Sequence, residues 1–266
     1  GNLDDALEEV ERSLNRNWHN HRARHLKTAL LRLAGRKEEA LSWIEDSLKI
    51  DRFNYGCIFE KFLLTDDKEV LALMTKLMRG ASFNYDEIAL DYVAAGLYEE
   101  AIAVWQEATK VSTTPMTYYY MAWAQSLANK EEAVDSFAKA AGHAPEFCFP
   151  NRLEAIVALE YAKEKNPSDA KAPYYLGNLW YDKRQYDEAI VNWEKSVLLD
   201  PAFPTAWRNL SLAYFNKQDK VDEAIACLEK AFALDITDAR ILMELDQLYK
   251  RLNRPHAERL SFLEKY

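Results

Sequence analysis

One step recurs along this 266-residue chain: an acidic residue, then alanine, then an apolar residue. It stands at Asp5-Ala6-Leu7, Glu39-Ala40-Leu41, Glu100-Ala101-Ile102, Glu132-Ala133-Val134, Glu154-Ala155-Ile156, Glu188-Ala189-Ile190 and Glu223-Ala224-Ile225, with a degenerate eighth at His256-Ala257. Successive alanines lie 34, 61, 32, 22, 34, 35 and 33 residues apart, so five of the seven intervals fall within two residues of 34. Such a period means stacked copies of one supersecondary unit, none of which can bury its apolar face alone.

The flanks repeat as well. Four residues after the alanine comes a bulky apolar side chain, at Val10, Ile44, Trp105, Phe137, Leu159, Trp193 and Leu228. Three further on comes a small one, at Ser13, Ser47, Ala108, Ala140, Ala162, Ser196 and Ala231. Spacings of four and three put all three positions on one helical face. Small residues there let a neighbouring backbone approach, and the large one fills the space between. Several of these helices then meet a breaker, at Pro145, Pro167 and Pro201. Proline ends a helix because it lacks the N–H and its ring clashes with the preceding turn.

The clearest unit runs from Ala170 to Pro201: Tyr174, Leu176-Gly177 and Trp180, then Gln185-Tyr186-Asp187-Glu188-Ala189, Trp193, Ser196 and Asp200-Pro201. The next carries Trp207, Leu210-Ser211, Tyr214, Val221-Asp222-Glu223-Ala224, Leu228 and Ala231. This pattern closely resembles the tetratricopeptide repeat. The resemblance implies an all-α fold, an α-α superhelix or solenoid of helix-turn-helix repeats, with roughly six to eight units including degenerate ones. A single solenoid over residues 1–266 is expected, less regular at 52–84, where the interval is 61, and at 142–168, where it is only 22. Opening at Gly1 in the middle of a repeat, the chain reads as a fragment of a longer protein. A narrower resemblance, carried by Asn166 to Leu179 and Glu244 to Asn253, is to the tetratricopeptide part of large bacterial proteins with an amino-terminal β-rich domain of unknown function.

Composition excludes other classes. Seven glycines and eight prolines are too few for the closely spaced turns of an all-β protein, and 33 aromatic residues argue against disorder. A net charge of −9 is unsuited to nucleic acid, whose binders need a basic patch. No apolar run approaches the roughly 20 residues that span a bilayer. The expectation is therefore a cytoplasmic protein with no nucleic-acid or membrane partner. The odd, scattered Cys57, Cys148 and Cys227 read as buried free thiols.

Two clusters suggest chemistry and are better read as scaffold. His21 and His25, four apart, have a usable zinc spacing, but no third ligand is evident and Arg22 and Arg24 oppose a cation. The paired acids, such as Glu99-Glu100 and Asp187-Glu188, recur at one repeat position, where they complement the dipole of the second helix. No phosphate loop or nucleophile motif is present. No metal, cofactor or catalytic residue is expected.

The functional expectation rests on the groove that first helices line in this architecture, where peptides or partner helices lie. Aligning the units puts Tyr119, Trp123, Lys171, Tyr174, Asn178, Tyr181, Arg208 and Phe215 on that side. Aromatic and Arg side chains are frequent binding hot spots. Lys171, Asn178, Arg208 and Asn209 partly resemble the clamp by which some tetratricopeptide adaptors hold a partner's C-terminal carboxylate. The sequence thus predicts a protein-interaction or scaffold module for a protein or peptide partner. The alternative is an accessory module that positions a carbohydrate-related or other catalytic domain in a larger bacterial protein. A third reading, a helical enzyme using carboxylates, would need two acids outside the repeat positions in a deep pocket.

Overall fold

In the computed structural model, residues 2–266 are described, so the expectation attached to Gly1 lies outside them. The described residues form sixteen α-helices and no strand. They fall into two compact units, Gly1–Ser136 and Phe137–Tyr266, divided inside one helix.

Unit one contains α1 (Leu3–Arg16), α2 (His21–Leu33), α3 (Lys37–Ile50), α4 (Tyr55–Thr65), α5 (Lys68–Met78), α6 (Ser82–Ala94), α7 (Tyr98–Thr109) and α8 (Pro115–Leu127). The helix α9 (Ala133–Gly142) crosses the division. Unit two contains α10 (Leu153–Lys165), α11 (Lys171–Asp182), α12 (Tyr186–Leu199), α13 (Pro204–Gln218), α14 (Val221–Leu234), α15 (Ala239–Arg251) and α16 (His256–Leu263). Within each unit, sequential helices pack against one another, as α2 does on α3 and α11 on α12. In unit one the first helices also touch in series, α2 on α4, α4 on α6 and α6 on α8. This is the helix-turn-helix repeat fold expected. The 61-residue interval holds the short pair α4 and α5, of 11 residues each. In the 22-residue interval, residues 143–152 are not helical, and α10 follows them without a first helix of its own.

The repeating small residues do what their spacing implies. Ala40, Ala101, Ala155, Ala189 and Ala224 are fully buried, as are Ser47, Ala108, Ala140, Ala162, Ser196 and Ala231. Trp105 and Trp193 lie buried among them. The glycine of the first helix belongs to the same contact, since a Cβ on Gly177 would sit 2.4 Å from the Trp193 indole. Unit one uses the device differently: Gly56 on α4 makes room for the His25 ring of α2, 2.3 Å from where a Cβ would stand.

Five of the turns inside pairs share one geometry. The second residue after the first helix takes a left-handed backbone at Gly35, Gly96, Asn129, Arg184 and Asn253. The next N–H then reaches back five residues: Arg36 to Leu31 at 2.9 Å, Leu97 to Tyr92 at 2.9 Å, Lys130 to Gln125 at 2.9 Å, Gln185 to Trp180 at 2.9 Å and Arg254 to Tyr249 at 3.0 Å. This satisfies a carbonyl the helix end leaves open. The helices that follow, α3, α7, α12 and α14, start without a side-chain cap. The acid pair in each of their first turns meets the helix dipole instead.

Left-handed backbone costs an L-residue about 1–2 kcal/mol, and glycine avoids that at about 0.5–1 kcal/mol of extra chain entropy. Arg184 is exposed with φ +61°. Arg184→Gly is therefore expected to raise stability by up to about 1 kcal/mol in urea titration. A loss of stability would show that the Arg184 side chain contributes to the fold.

Candidate functional site

Four of the expected groove residues converge. Tyr174 and Asn178 on α11, Tyr181 at its end, and Arg208 on α13 line one cleft of about 450 Å³ in unit two. Its floor is a ladder of hydrogen bonds between helices. The Asn178 side-chain oxygen accepts from Trp193 Nε1 at 3.1 Å and from Asn209 Nδ2 at 3.0 Å. The Asn209 oxygen accepts from Arg208 Nη1 at 3.4 Å. Arg208 in turn donates through Nε, at 2.7 Å, and Nη2 to the carboxylate of Glu244 on α15. Arg240, exposed on α15, lies 3.7 Å from the same carboxylate. The aromatic rings interlock as well, with Tyr181 5.4 Å from Trp193 and Tyr174 4.7 Å from Phe203 between centroids.

The other four residues sit elsewhere. Lys171 donates its ammonium to the backbone oxygen of His143 and so ties down the non-helical segment. Phe215 lines a separate small cavity of about 130 Å³, under the guanidinium of Arg251. Tyr119 and Trp123 belong to unit one, on α8, a helix buried almost all round, and are 0% and 9% exposed. They are core residues: repeat register placed them on the groove side, and the apolar surroundings of α8 bury them.

The carboxylate clamp is not supported by this geometry. Arg208 is already held bidentately by Glu244, and both side chains are mostly buried. A partner's carboxylate would have to displace Glu244 and leave its charge stranded. Sequence reasoning missed Glu244, which lies one repeat beyond Arg208. It also missed the mouth of the cleft, formed by Pro145, Phe147 and Phe149 from the segment 143–152. The short 22-residue interval and the proline pair Pro145 and Pro150 signal that segment in the sequence, but not its place at a cleft.

Unit one has its own cleft of about 420 Å³ between α1, α2 and α6, with the Arg22–Asp91 ion pair at 2.6 Å in its lining. The histidines there do not form a metal site. His21 is exposed, whereas His25 is packed against Gly56 and edge-on to Tyr92, with ring centroids 4.5 Å apart. Among the described residues no three His, Cys, Asp or Glu side chains converge. Beneath the same wall lies an ionic cluster. Fully buried Glu60 accepts from Arg32 at 2.6 Å and from the Tyr92 hydroxyl at 2.6 Å, and Arg32 also reaches Glu100 at 2.7 Å. Burial raises the Glu60 carboxyl above its usual range, against the opposing pull of Arg32. Buried and paired, Glu60 bridges α4 to α2 and α6.

Comparison with known proteins finds the same repeat in part of the chain. Residues 177–218 match the TPR repeat and residues 204–235 the tetratricopeptide repeat. Tetratricopeptide repeat protein 37 of Xenopus laevis is 32% identical over 93 residues, covering 33% of this chain and 6% of that protein's length. Among solved structures, YrrB, described as a TPR protein with an unusual peptide-binding site, aligns over 90% of this chain and 98% of its own, at 15% identity and a TM-score of 0.34. MamA from Desulfovibrio magneticus RS-1 aligns over 70% and 92%, at 21% identity and a TM-score of 0.39. The Cut9–Hcn1 hetero-tetramer of the APC/C aligns over 98% and 50%, at 16% identity and a TM-score of 0.37. No helix among the described residues is long and apolar enough to cross a membrane.

The buried imidazole of unit one has a measurable consequence. Burial, reinforced by the positive charges of Arg32 and Arg22, lowers the His25 pKa to about 3. Below pH ~6.5 the unfolded chain binds a proton at this residue that the folded chain refuses, so stability falls as pH falls. The expected slope is about 1.4 kcal/mol per pH unit. Glu60, with its raised pKa, acts in the opposite sense at lower pH, because the folded state then takes up a proton readily. The window read is roughly pH 6.5 to 5, where the Glu60 contribution is common to the natural protein and a His25 variant and cancels between them. Urea titrations across it should show this slope in the natural protein and most of it lost in His25→Gln. Parallel slopes would show that His25 is not the group responsible.

Proposed function

Because this chain is a tetratricopeptide-repeat protein, we propose that it holds a protein partner by binding a peptide segment of that partner in the cleft of unit two. The fold supports an interaction or scaffold role in general. The observation that carries the finer reading is the convergence of Tyr174, Asn178, Tyr181 and Arg208 on one cleft of about 450 Å³. A cavity of this size, with aromatic walls and few polar groups, suits a short run of side chains. The hydrogen-bonded ladder holds the floor rigid before the partner arrives, so little ordering cost remains on binding.

Crosslinking tests this. A photoreactive phenylalanine derivative is placed at Thr205, in the cleft lining, or at Lys230, exposed on α14. Irradiation in extract of the native organism is expected to give a discrete adduct from position 205 alone. Crosslinks confined to position 230, or none at either position, would overturn the assignment.

A further inference from the structure

Resting on the reading of this cleft as a peptide groove, we propose that its ligand is an extended, uncharged, proline-rich segment, seated on the rings of Phe147 and Phe149. These two rings, 92% and 75% exposed, stand at the cleft mouth with Pro145. Between them Cys148 is buried, so the backbone is anchored while its two neighbours project outward. Lys171 pins the start of the segment through His143, and buried Pro150 secures its end. Phe147 moreover has φ +59°, in the left-handed region, which is an outlier for a bulky aromatic residue. Neither solvation nor backbone preference explains an aromatic side chain there, and strain of this kind clusters where side chains are aimed at a ligand.

The chemistry of the lining narrows the ligand. Arg208 is neutralised by Glu244, and at the rim the exposed Glu146 carries a charge opposite to that of Arg240, which itself lies 3.7 Å from Glu244. No net charge is left to attract an acidic or basic peptide. What remains is a set of aromatic faces with polar groups beside them. Proline-rich segments dock on aromatic-lined grooves, because their polyproline II form is already ordered. That form has no internal hydrogen bonds, so its carbonyls need donors, and the Arg240 guanidinium is in place to supply them.

The test is selection from a random dodecapeptide display library on the full 266-residue chain, followed by fluorescence anisotropy on synthetic copies of the winners. Enriched peptides should be proline-rich and uncharged. Their affinity should fall at least tenfold in the Phe147→Gly, Phe149→Ala double variant. The Tm of that variant should be unchanged or higher, since both rings are solvated and glycine accepts the left-handed backbone. Enriched peptides that lack proline, or end in an acidic C-terminus, and that depend on Tyr181 but not on Phe147 and Phe149, would overturn this proposal and leave the groove reading standing. No enrichment over the blank support would overturn both.

Discussion

The contact on which the rest depends is the fully buried alanine near the start of α3, α7, α10, α12 and α14. With no side chain beyond Cβ, Ala189 lets α12 approach α11 closely enough for Trp193 to lie on Gly177. The same step at Ala40, Ala101, Ala155 and Ala224 sets the spacing elsewhere. A packed interior near crystal density tolerates neither a void nor an added methylene at such a point. Pairing through this seam buries one face of each first helix and leaves the other for its neighbours or a ligand.

Polar groups then join the pairs to one another. In unit two, Asn178, Asn209, Arg208 and Glu244 run from α11 through α13 to α15 as one hydrogen-bonded series. In unit one, Arg32, Glu60, Glu100 and Tyr92 link α2, α4, α6 and α7. Such clusters bring little net stability, because desolvation offsets attraction, but breaking one partner strands the other. They also decide chemistry. By occupying Arg208, Glu244 converts what looked like an anion clamp into a neutral, aromatic cleft.

The fold could be read from the chain because its determinants are local and periodic. The acid–Ala step, the apolar residue four on and the small residue seven on mark the buried seam within each repeat, and the structure buries them. The short pair α4 and α5 was visible as a divergent unit over residues 53–79, filling the interval of 61. Register did bring together Tyr174, Asn178, Tyr181 and Arg208, which line one cleft. Register failed at Tyr119 and Trp123, because α8 is enclosed on nearly every side, which no spacing within one helix reveals. It also failed for pairings between repeats: Arg208 and Glu244 are 36 residues apart, and Arg32 and Glu60 are 28 apart. The aromatic mouth at Phe147 and Phe149 departs from the repeat, so periodicity marked the segment by its 22-residue interval but said nothing of its role.

The central claim is that the alanine seam, not general hydrophobicity, holds the repeats together. Urea unfolding of Ala189→Leu against Val191→Leu tests it most directly. Ala189 is fully buried and Val191 is 59% exposed, two residues along the same helix. The account predicts a loss of about 1–3 kcal/mol for Ala189→Leu through overpacking, and a change within about 0.5 kcal/mol for the exposed Val191→Leu. Equal effects at the two positions would contradict it.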